Sequence, residues 1–94
     1  MDYFVIFKPY SHINKRVCGF ILSIVNDPTI NDVAKAYLLA GYIKNKLKDY
    51  RSAGFCYLKA AWSFDDRKDI QNAIMAREEE LKNSMKQLRL LKNY

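Results

Sequence analysis

The chain has 94 residues, of which 50% are hydrophobic and 14% aromatic, and its formal charge at neutral pH is +6. This composition excludes wholesale disorder, and the length allows a single domain with a modest core. Two cysteines without a CxxC spacing exclude a disulfide framework and predict a reduced, cytoplasmic protein.

The positive charge is spread along the whole chain. Residues 1–47 carry six basic and three acidic side chains, and residues 48–94 carry ten and seven, so each half has a net charge of +3. A phosphate-binding surface usually concentrates its cations along one stripe. The distribution therefore favours an ordinary basic surface over a dedicated surface for nucleic acid or anionic membrane.

The first predicted element, residues 1–11, contains the short apolar run from Tyr3 to Phe7. Periodicity does not separate strand from helix in so short a run, so we expect an irregular or strand-like segment, paired with a second chain if it is a strand. Residues 12–26 have helical spacing, and Ser11 is a candidate N-cap. The apolar stretch of this helix is too short to cross a bilayer, and we expect no membrane span.

Three further helices are predicted over residues 28–45, 50–64 and 67–91. Asp27 followed by Pro28 predicts that the first of these helices starts at residue 28, with Asn31 or Asp32 as an alternative start. We expect Asn45 to end that helix in a left-handed conformation and Asp49 to cap the next. We expect Asp65 and Asp66 to end the third helix. The last helix is long and amphipathic, with one apolar stripe formed by Ile70, Ala73, Ile74, Leu81, Met85 and Leu88.

The predicted fold class is therefore all-α: one domain, residues 1–94, in which an antiparallel helical hairpin is flanked by an N-terminal helix and a long C-terminal helix. Gly41 and Gly54 lie inside the two hairpin helices, where glycine costs roughly 0.5–1 kcal/mol relative to alanine. Antiparallel helices approach closely only at small side chains, so we expect Gly41 to face Ala53 or Gly54. We expect Gly41→Leu to destabilise the domain by about 1–3 kcal/mol and Gly41→Ala to be nearly tolerated. The candidate helix-packing residues are Tyr37, Gly41, Tyr50, Ala53, Gly54, Tyr57 and Ala60.

The hairpin resembles a tetratricopeptide repeat over residues 34–67. In that family's helix-turn-helix pattern, Tyr37 stands at the tryptophan position, Gly41 at the glycine and Tyr50 at the second tyrosine. Ala53 and Ala60 stand at the small positions of the second helix, and Tyr57 at the phenylalanine. The chain departs from the pattern at Ala40, Lys44 and Asp65.

A second resemblance covers residues 50–60, "YRSAGFCYLKA". This segment is similar to the Y-x-x-A-x-x-x-Y-x-x-A pattern of microtubule-interacting-and-transport domains, which are three-helix bundles of similar size. Both resemblances imply a closely packed helical hairpin.

The sequence offers no constellation typical of an enzyme, a cofactor site or a metal site. His12 is the only histidine, and neither cysteine has an adjacent base. The acidic runs Asp65–Asp66 and Glu78–Glu80 occupy consecutive helical positions, whose side chains do not converge. A Gly-rich phosphate loop, a nucleophile elbow and an HExxH motif are all lacking. We expect no enzymatic activity.

More aromatic residues occur in the hairpin than one small core can hold, and such residues become interface anchors. The leading prediction is a non-catalytic protein–protein interaction module, or adaptor, whose hairpin groove binds a peptide or helix. A basic rim predicts an acidic partner. The candidate partner-binding residues are Tyr42, Lys44, Lys48, Arg51, Lys59 and Trp62.

Two alternatives remain. Lys82, Lys86 and Arg89 share one face of the last helix and are candidates for binding nucleic acid, although cations there also complement the helix dipole. The second alternative is a structural homo-oligomer that buries Tyr3–Phe7 and the Val17–Val25 helix between chains.

Overall fold

The computed structural model describes residues 15–92, with side chains from residue 19 onward, and this part of the chain forms four helices. They are α1 (Lys15–Val25), α2 (Asp32–Lys46), α3 (Tyr50–Asp66) and α4 (Ile70–Lys92). The all-α prediction is confirmed, and α2 and α3 form the hairpin between a shorter N-terminal and a longer C-terminal helix. The predictions for Tyr3–Phe7, Ser11 and His12 lie outside the described residues.

The helices form a flattened bundle that measures 44 × 33 × 17 Å. Helix α3 packs along both α2 and α4, and α1 packs against α2. Because a helix with its side chains is about 10–12 Å wide, a thickness of 17 Å leaves the outer sides of the helices uncovered. Three residues of α1, namely Phe20, Ile21 and Ile24, are buried within the chain itself.

Tyr57 occupies the centre of the core, with an exposed fraction of 0%. Its ring lies against Gly41 of α2, where a Cβ atom would be 3.0 Å from the Tyr57 Cε1 atom. Gly54 instead faces α4, where its nearest neighbour would be the Glu80 carbonyl oxygen at 3.7 Å. The expectation that Gly41 faces Ala53 or Gly54 is therefore wrong. Gly41 lies against the ring of Tyr57, and Gly54 lies against α4.

The candidate helix-packing residues divide by their depth in the core. Gly41, Ala53, Gly54, Tyr57 and Ala60 are buried. Tyr37 and Tyr50 are only partly buried, and both lie close to a lysine, as described below.

The start of α2 differs from the predicted residue 28. Asn31 is the N-cap, because its side chain accepts a hydrogen bond from the Val33 N–H at 3.0 Å. The Asp27 side chain accepts hydrogen bonds from the Thr29 N–H and hydroxyl, at 2.9 and 2.6 Å. Asp27 therefore stabilises a local turn before the helix, and the alternative start at Asp32 is the one observed.

The same tight turn joins α2 to α3 and α3 to α4. Lys48 and Lys68 both have positive φ angles, 63° and 59°. In each turn the next N–H, of Asp49 or Asp69, donates to a carbonyl five residues earlier at 2.9 Å, as in a Schellman motif. The left-handed residue is thus Lys48, and the prediction that Asn45 takes this role is wrong because α2 continues to Lys46.

The aspartate in each turn also begins the next helix. Asp49 accepts a hydrogen bond from the Ser52 N–H at 3.3 Å, which confirms it as an N-cap, and Asp69 accepts from the Asn72 N–H at 3.4 Å. Consequently α4 begins at Ile70 rather than at residue 67. Asp65 and Asp66 do not end α3 as expected, because both lie within its last turn.

Candidate functional site

An open apolar groove lies between α3 and α4 and encloses about 710 Å³. Most of its exposed lining is apolar, with Phe55 and Leu58 contributed by α3 and Leu88 by α4. The complete lining consists of Tyr50, Arg51, Ser52, Gly54, Phe55, Cys56, Leu58, Glu80, Ser84, Gln87 and Leu88. We call this feature the α3–α4 groove.

Small residues allow the two helices to approach beneath the groove. Gly54 lies against the backbone of Glu80, and the alanines Ala73 and Ala76 of α4 are buried. Across the same pair of helices, Arg77 of α4 donates two hydrogen bonds to the Asp65 carboxylate, and the longer of them is 3.1 Å. This ion pair holds the pKa of Asp65 below its ordinary value.

Two large aromatic side chains are exposed on α3. Phe55 is 57% exposed and Trp62 is 49% exposed. They are seven residues apart, which is about two helical turns, so they lie on the same side of α3. Lys59 lies between them in the sequence, with its Nζ atom 4.9 Å from the centre of the Phe55 ring and 5.9 Å from that of Tyr37. Cation–π attraction therefore helps to orient Phe55.

Of the candidate residues of the basic rim, Lys44, Lys48 and Lys59 are not part of the groove lining. Lys44, Lys48 and Arg51 are exposed, and none of them forms an ion pair within residues 19–92. Arg51 lines the groove directly. The one acidic side chain in the lining, Glu80, accepts a hydrogen bond from the Ser84 hydroxyl at 2.7 Å.

Tyr42 does not belong to this surface. Its exposed fraction is 6%, because it lies one turn after Leu38 on the side of α2 that faces the core. The Lys46 ammonium lies 5.4 Å from the centre of its ring. The role of Tyr42 as a partner-binding residue is therefore corrected to a role in the core.

The three cations proposed for nucleic acid have different surroundings. Lys82 pairs with the mostly buried Glu79 at 3.2 Å. The Lys86 ammonium lies 5.3 Å from the centre of the Tyr50 ring and 3.4 Å from the Asn45 side-chain oxygen. Arg89 is exposed. Two of the three cations are therefore engaged by neighbouring side chains.

Cys56 and two of the acidic residues have defined surroundings within the described residues. Burial raises the pKa of the Cys56 thiol, a direction that keeps it protonated at neutral pH. Asp65 pairs with Arg77 and Glu79 with Lys82. In the stretch whose side chains are described, no cluster of three or more His, Cys, Asp or Glu residues is arranged to hold a metal ion.

Sequence reasoning missed the contribution of α4 to this surface. It placed Ala73 on the same apolar stripe as Ile74, whereas Ala73 is buried and Ile74 is 53% exposed. The available signal was residue size, since Ala73 and Ala76 are small enough to let helices touch. Leu58 and Leu88 were also missed as groove residues, although Leu58 follows Phe55 by one helical turn.

None of the helices within residues 15–92 combines the length and the apolar character that a membrane crossing requires. Comparison of the chain with protein-family models, with curated proteins and with solved structures finds no match. The resemblances to a tetratricopeptide repeat and to a microtubule-interacting-and-transport domain therefore remain predictions.

Proposed function

We propose that the protein is a non-catalytic protein–protein interaction module that binds an apolar helix or peptide with acidic flanks in the α3–α4 groove. The observation that carries this proposal is the groove itself, in which exposed apolar side chains lie beside Arg51, an arginine that forms no ion pair within residues 19–92. Ligand sites are typically concave and mostly apolar, with a few polar groups that give orientation.

The exposed aromatics support a protein ligand. Phe55 lines the groove, and Trp62, about two helical turns further along the same side of α3, is exposed although it does not line the groove. Aromatic and arginine side chains carry a large share of the binding energy in protein interfaces, and Phe55 is already positioned by Lys59. A side chain held in place loses less conformational freedom on binding.

The shape of the groove supports a helical or extended ligand. Two neighbouring helices present parallel ridges with a furrow between them, and the apolar side of an amphipathic helix fits such a furrow. Among the described residues, this furrow is open. An amphipathic segment therefore covers the exposed residues without rearranging the core.

The charges support an acidic partner. Lys44, Lys48 and Arg51 lie on the surface and form no ion pair within residues 19–92, although Asp49 interacts electrostatically with Lys44, and their field attracts acidic residues. Such rim charges act mainly on the rate of association and on specificity, so binding is expected to weaken as the salt concentration rises.

Selection from a random peptide display library tests the proposal. We expect selected peptides to combine apolar residues at helical or alternating spacing with Asp and Glu. Binding should weaken at least about tenfold in Phe55→Ala and in Arg51→Glu, because hot-spot truncation costs about 2 kcal/mol or more. Ile43→Ala, which alters an exposed apolar residue of α2, is the matched control. Binding that survives both groove variants would contradict the proposal.

Nucleic-acid binding through Lys82, Lys86 and Arg89 is the less supported alternative, because the first two cations are engaged within the chain. A salt titration with random RNA and duplex DNA separates the alternatives. Nucleic-acid binding predicts an affinity that falls linearly with the logarithm of the salt concentration. The interaction module predicts no measurable affinity for either polymer at physiological salt.

A further inference from the structure

The outward side of α4 carries a row of large apolar residues that the described chain does not cover. Each member is at least half exposed, and the row consists of Ile70, Ile74, Leu81, Met85 and Leu88. We call this row the α4 stripe. Ile74, Leu81 and Leu88 are spaced by seven residues, which keeps them on one side of the helix.

Except at Leu88, which also lines the α3–α4 groove, the α4 stripe faces away from the helix pair that α4 belongs to. Helix α4 packs on its neighbours through the buried residues Ala73, Ala76 and Asn83, which are small or polar. In a helix that serves only the core of its own chain, the largest apolar residues are the buried ones. In α4 the small and polar residues are buried and the large apolar residues are exposed. This arrangement indicates that a further surface covers the stripe in the functional protein.

The charges of α4 favour a second copy of the same helix as the surface that covers the stripe. Before Leu81 the helix contains Glu78, Glu79 and Glu80 with a single cation, Arg77, whereas after Leu81 it contains only cations, namely Lys82, Lys86, Arg89 and Lys92. Glu79 pairs with Lys82 and Arg77 with Asp65 within the chain, so the charges available to a second copy are Glu78 in the first half and Arg89 and Lys92 in the second. This arrangement is complementary to an antiparallel copy of the helix. A parallel copy in register would instead place like charges opposite one another.

We propose that the α4 stripe is the interface of a symmetric homodimer in which the α4 helices of two copies pair antiparallel about a two-fold axis at Leu81. This inference does not rest on the proposed function, because Ile74 and Leu81 lie outside the lining of the α3–α4 groove and the two surfaces share only Leu88. It also differs from burial of the N-terminal residues between chains.

The antiparallel arrangement pairs specific residues. Leu81 meets Leu81 of the other copy at the axis, and Ile74 lies opposite Leu88. A shallow hollow on α4 lined by Met85, Leu88 and Leu91 is available to receive the isoleucines of the other copy. Glu78 of each copy approaches the basic half of the other helix. Because the interface is isologous, every contact occurs twice.

Sedimentation velocity over the micromolar to millimolar range tests the inference. We expect a reversible monomer–dimer equilibrium for the wild-type chain. Leu81→Glu places two carboxylates together at the axis and should raise the dissociation constant at least about tenfold. Ile43→Glu, at a similarly exposed position on α2, should leave it unchanged. Circular dichroism establishes that both variants fold. A wild-type chain that stays monomeric, or a dimer that Leu81→Glu does not weaken, would overturn the proposal.

Cysteine cross-linking tests the orientation independently. In a background with Cys18→Ser and Cys56→Ser, mild oxidation should cross-link Leu81→Cys with itself. Ile74→Cys alone and Leu88→Cys alone should cross-link weakly, whereas a mixture of the two should cross-link efficiently because those positions are opposite each other. Efficient self-linkage of Ile74→Cys would instead indicate a parallel pair and overturn the antiparallel interface.

Discussion

The ring of Tyr57 lies where a side chain on Gly41 would begin. A Cβ atom on Gly41 would be 3.0 Å from both the Cε1 and Cζ atoms of Tyr57, and the Tyr57 side chain is fully buried. The ring therefore has little room to move away. The glycine in the middle of α2 is required by an aromatic residue of α3 rather than by a second small residue.

The first prediction follows from this contact. We expect Gly41→Ala to destabilise the protein by about 1–3 kcal/mol, because overpacking outweighs the better helix propensity of alanine. This reverses the expectation from sequence that alanine is nearly tolerated. Urea unfolding followed by circular dichroism measures the change.

Gly54→Ala is the matched control. Its Cβ atom would meet the Glu80 carbonyl oxygen at 3.7 Å, an ordinary contact distance. The gain in helix propensity should therefore make this variant neutral or more stable by roughly 0.5–1 kcal/mol. Equal effects at the two glycines would show that Tyr57 does not restrict position 41.

The second prediction concerns the hydroxyl of Tyr57. This oxygen is buried and has no hydrogen-bond partner among the described residues, and burial raises its pKa above the ordinary tyrosine value. We expect Tyr57→Phe to be neutral or to stabilise the protein by up to about 1 kcal/mol at neutral pH, because an unsatisfied polar group is removed.

The raised pKa also predicts the response to alkali. In the unfolded chain Tyr57 ionises near its ordinary pKa of about 10, whereas in the folded chain it stays protonated. The stability linked to this group is therefore complete below that pH and decreases as the pH rises above it. Urea unfolding above the ordinary tyrosine pKa should show a smaller alkaline loss in Tyr57→Phe than in the wild type. Tyr50→Phe is the control, and an identical loss in wild type and Tyr57→Phe would refute the prediction.

The third prediction concerns the ion pair between Asp65 and Arg77. Its geometry holds the pKa of Asp65 below the ordinary value, so its stabilising contribution is present above that value and decreases as the pH falls through the lowered pKa. Asp65→Asn should lose less stability between neutral and acid pH than the wild type at low salt. Asp66→Asn, which changes the exposed neighbouring carboxylate, should behave like the wild type. Parallel acid profiles for wild type and Asp65→Asn would contradict this role.

The fourth prediction concerns the left-handed lysine between α3 and α4. Lys68 has a φ angle of 59°, a conformation that costs a residue with a Cβ atom roughly 1–2 kcal/mol. Lys68→Gly should therefore stabilise the protein by about 0.5–1 kcal/mol, since glycine adopts this conformation without strain but loses more entropy on folding. Ala36→Gly, at an exposed position inside α2, should have the opposite effect in the same thermal unfolding experiment. A loss of stability in Lys68→Gly would indicate that the lysine side chain stabilises the turn.

The helices were predictable because their apolar spacing and their capping residues are local signals. The N-cap at Asp49 illustrates this, since the hydrogen bond to Ser52 spans three residues. The end of α3 was not predictable in the same way. Asp65 continues the helix while pairing with Arg77, which is twelve residues away and reaches it only after α4 has packed.

The candidate site was predictable only in part. The chain has more aromatic and cationic residues than its core can hold, and on that ground the exposure of Trp62 and Arg51 was predictable. The burial of Tyr42 depends on which side of α2 the other helices cover, and spacing within α2 does not determine that. Leu81 likewise points outward because α4 packs through its alanines. The sequence pattern of large apolar residues does not show that this side of the helix is the one that packs.

Chemical-shift mapping by NMR with an acidic peptide selected from the display library locates the binding surface on the folded protein. If the peptide binds in the α3–α4 groove, amide shifts change most at Gly54, Phe55 and Leu58 of α3 and at Ser84 and Leu88 of α4, which line the groove. We expect small changes at Lys35 and at Phe20, which do not line the groove. Changes concentrated on α1 and the first half of α2, with the groove residues unaffected, would contradict the α3–α4 groove as the binding site.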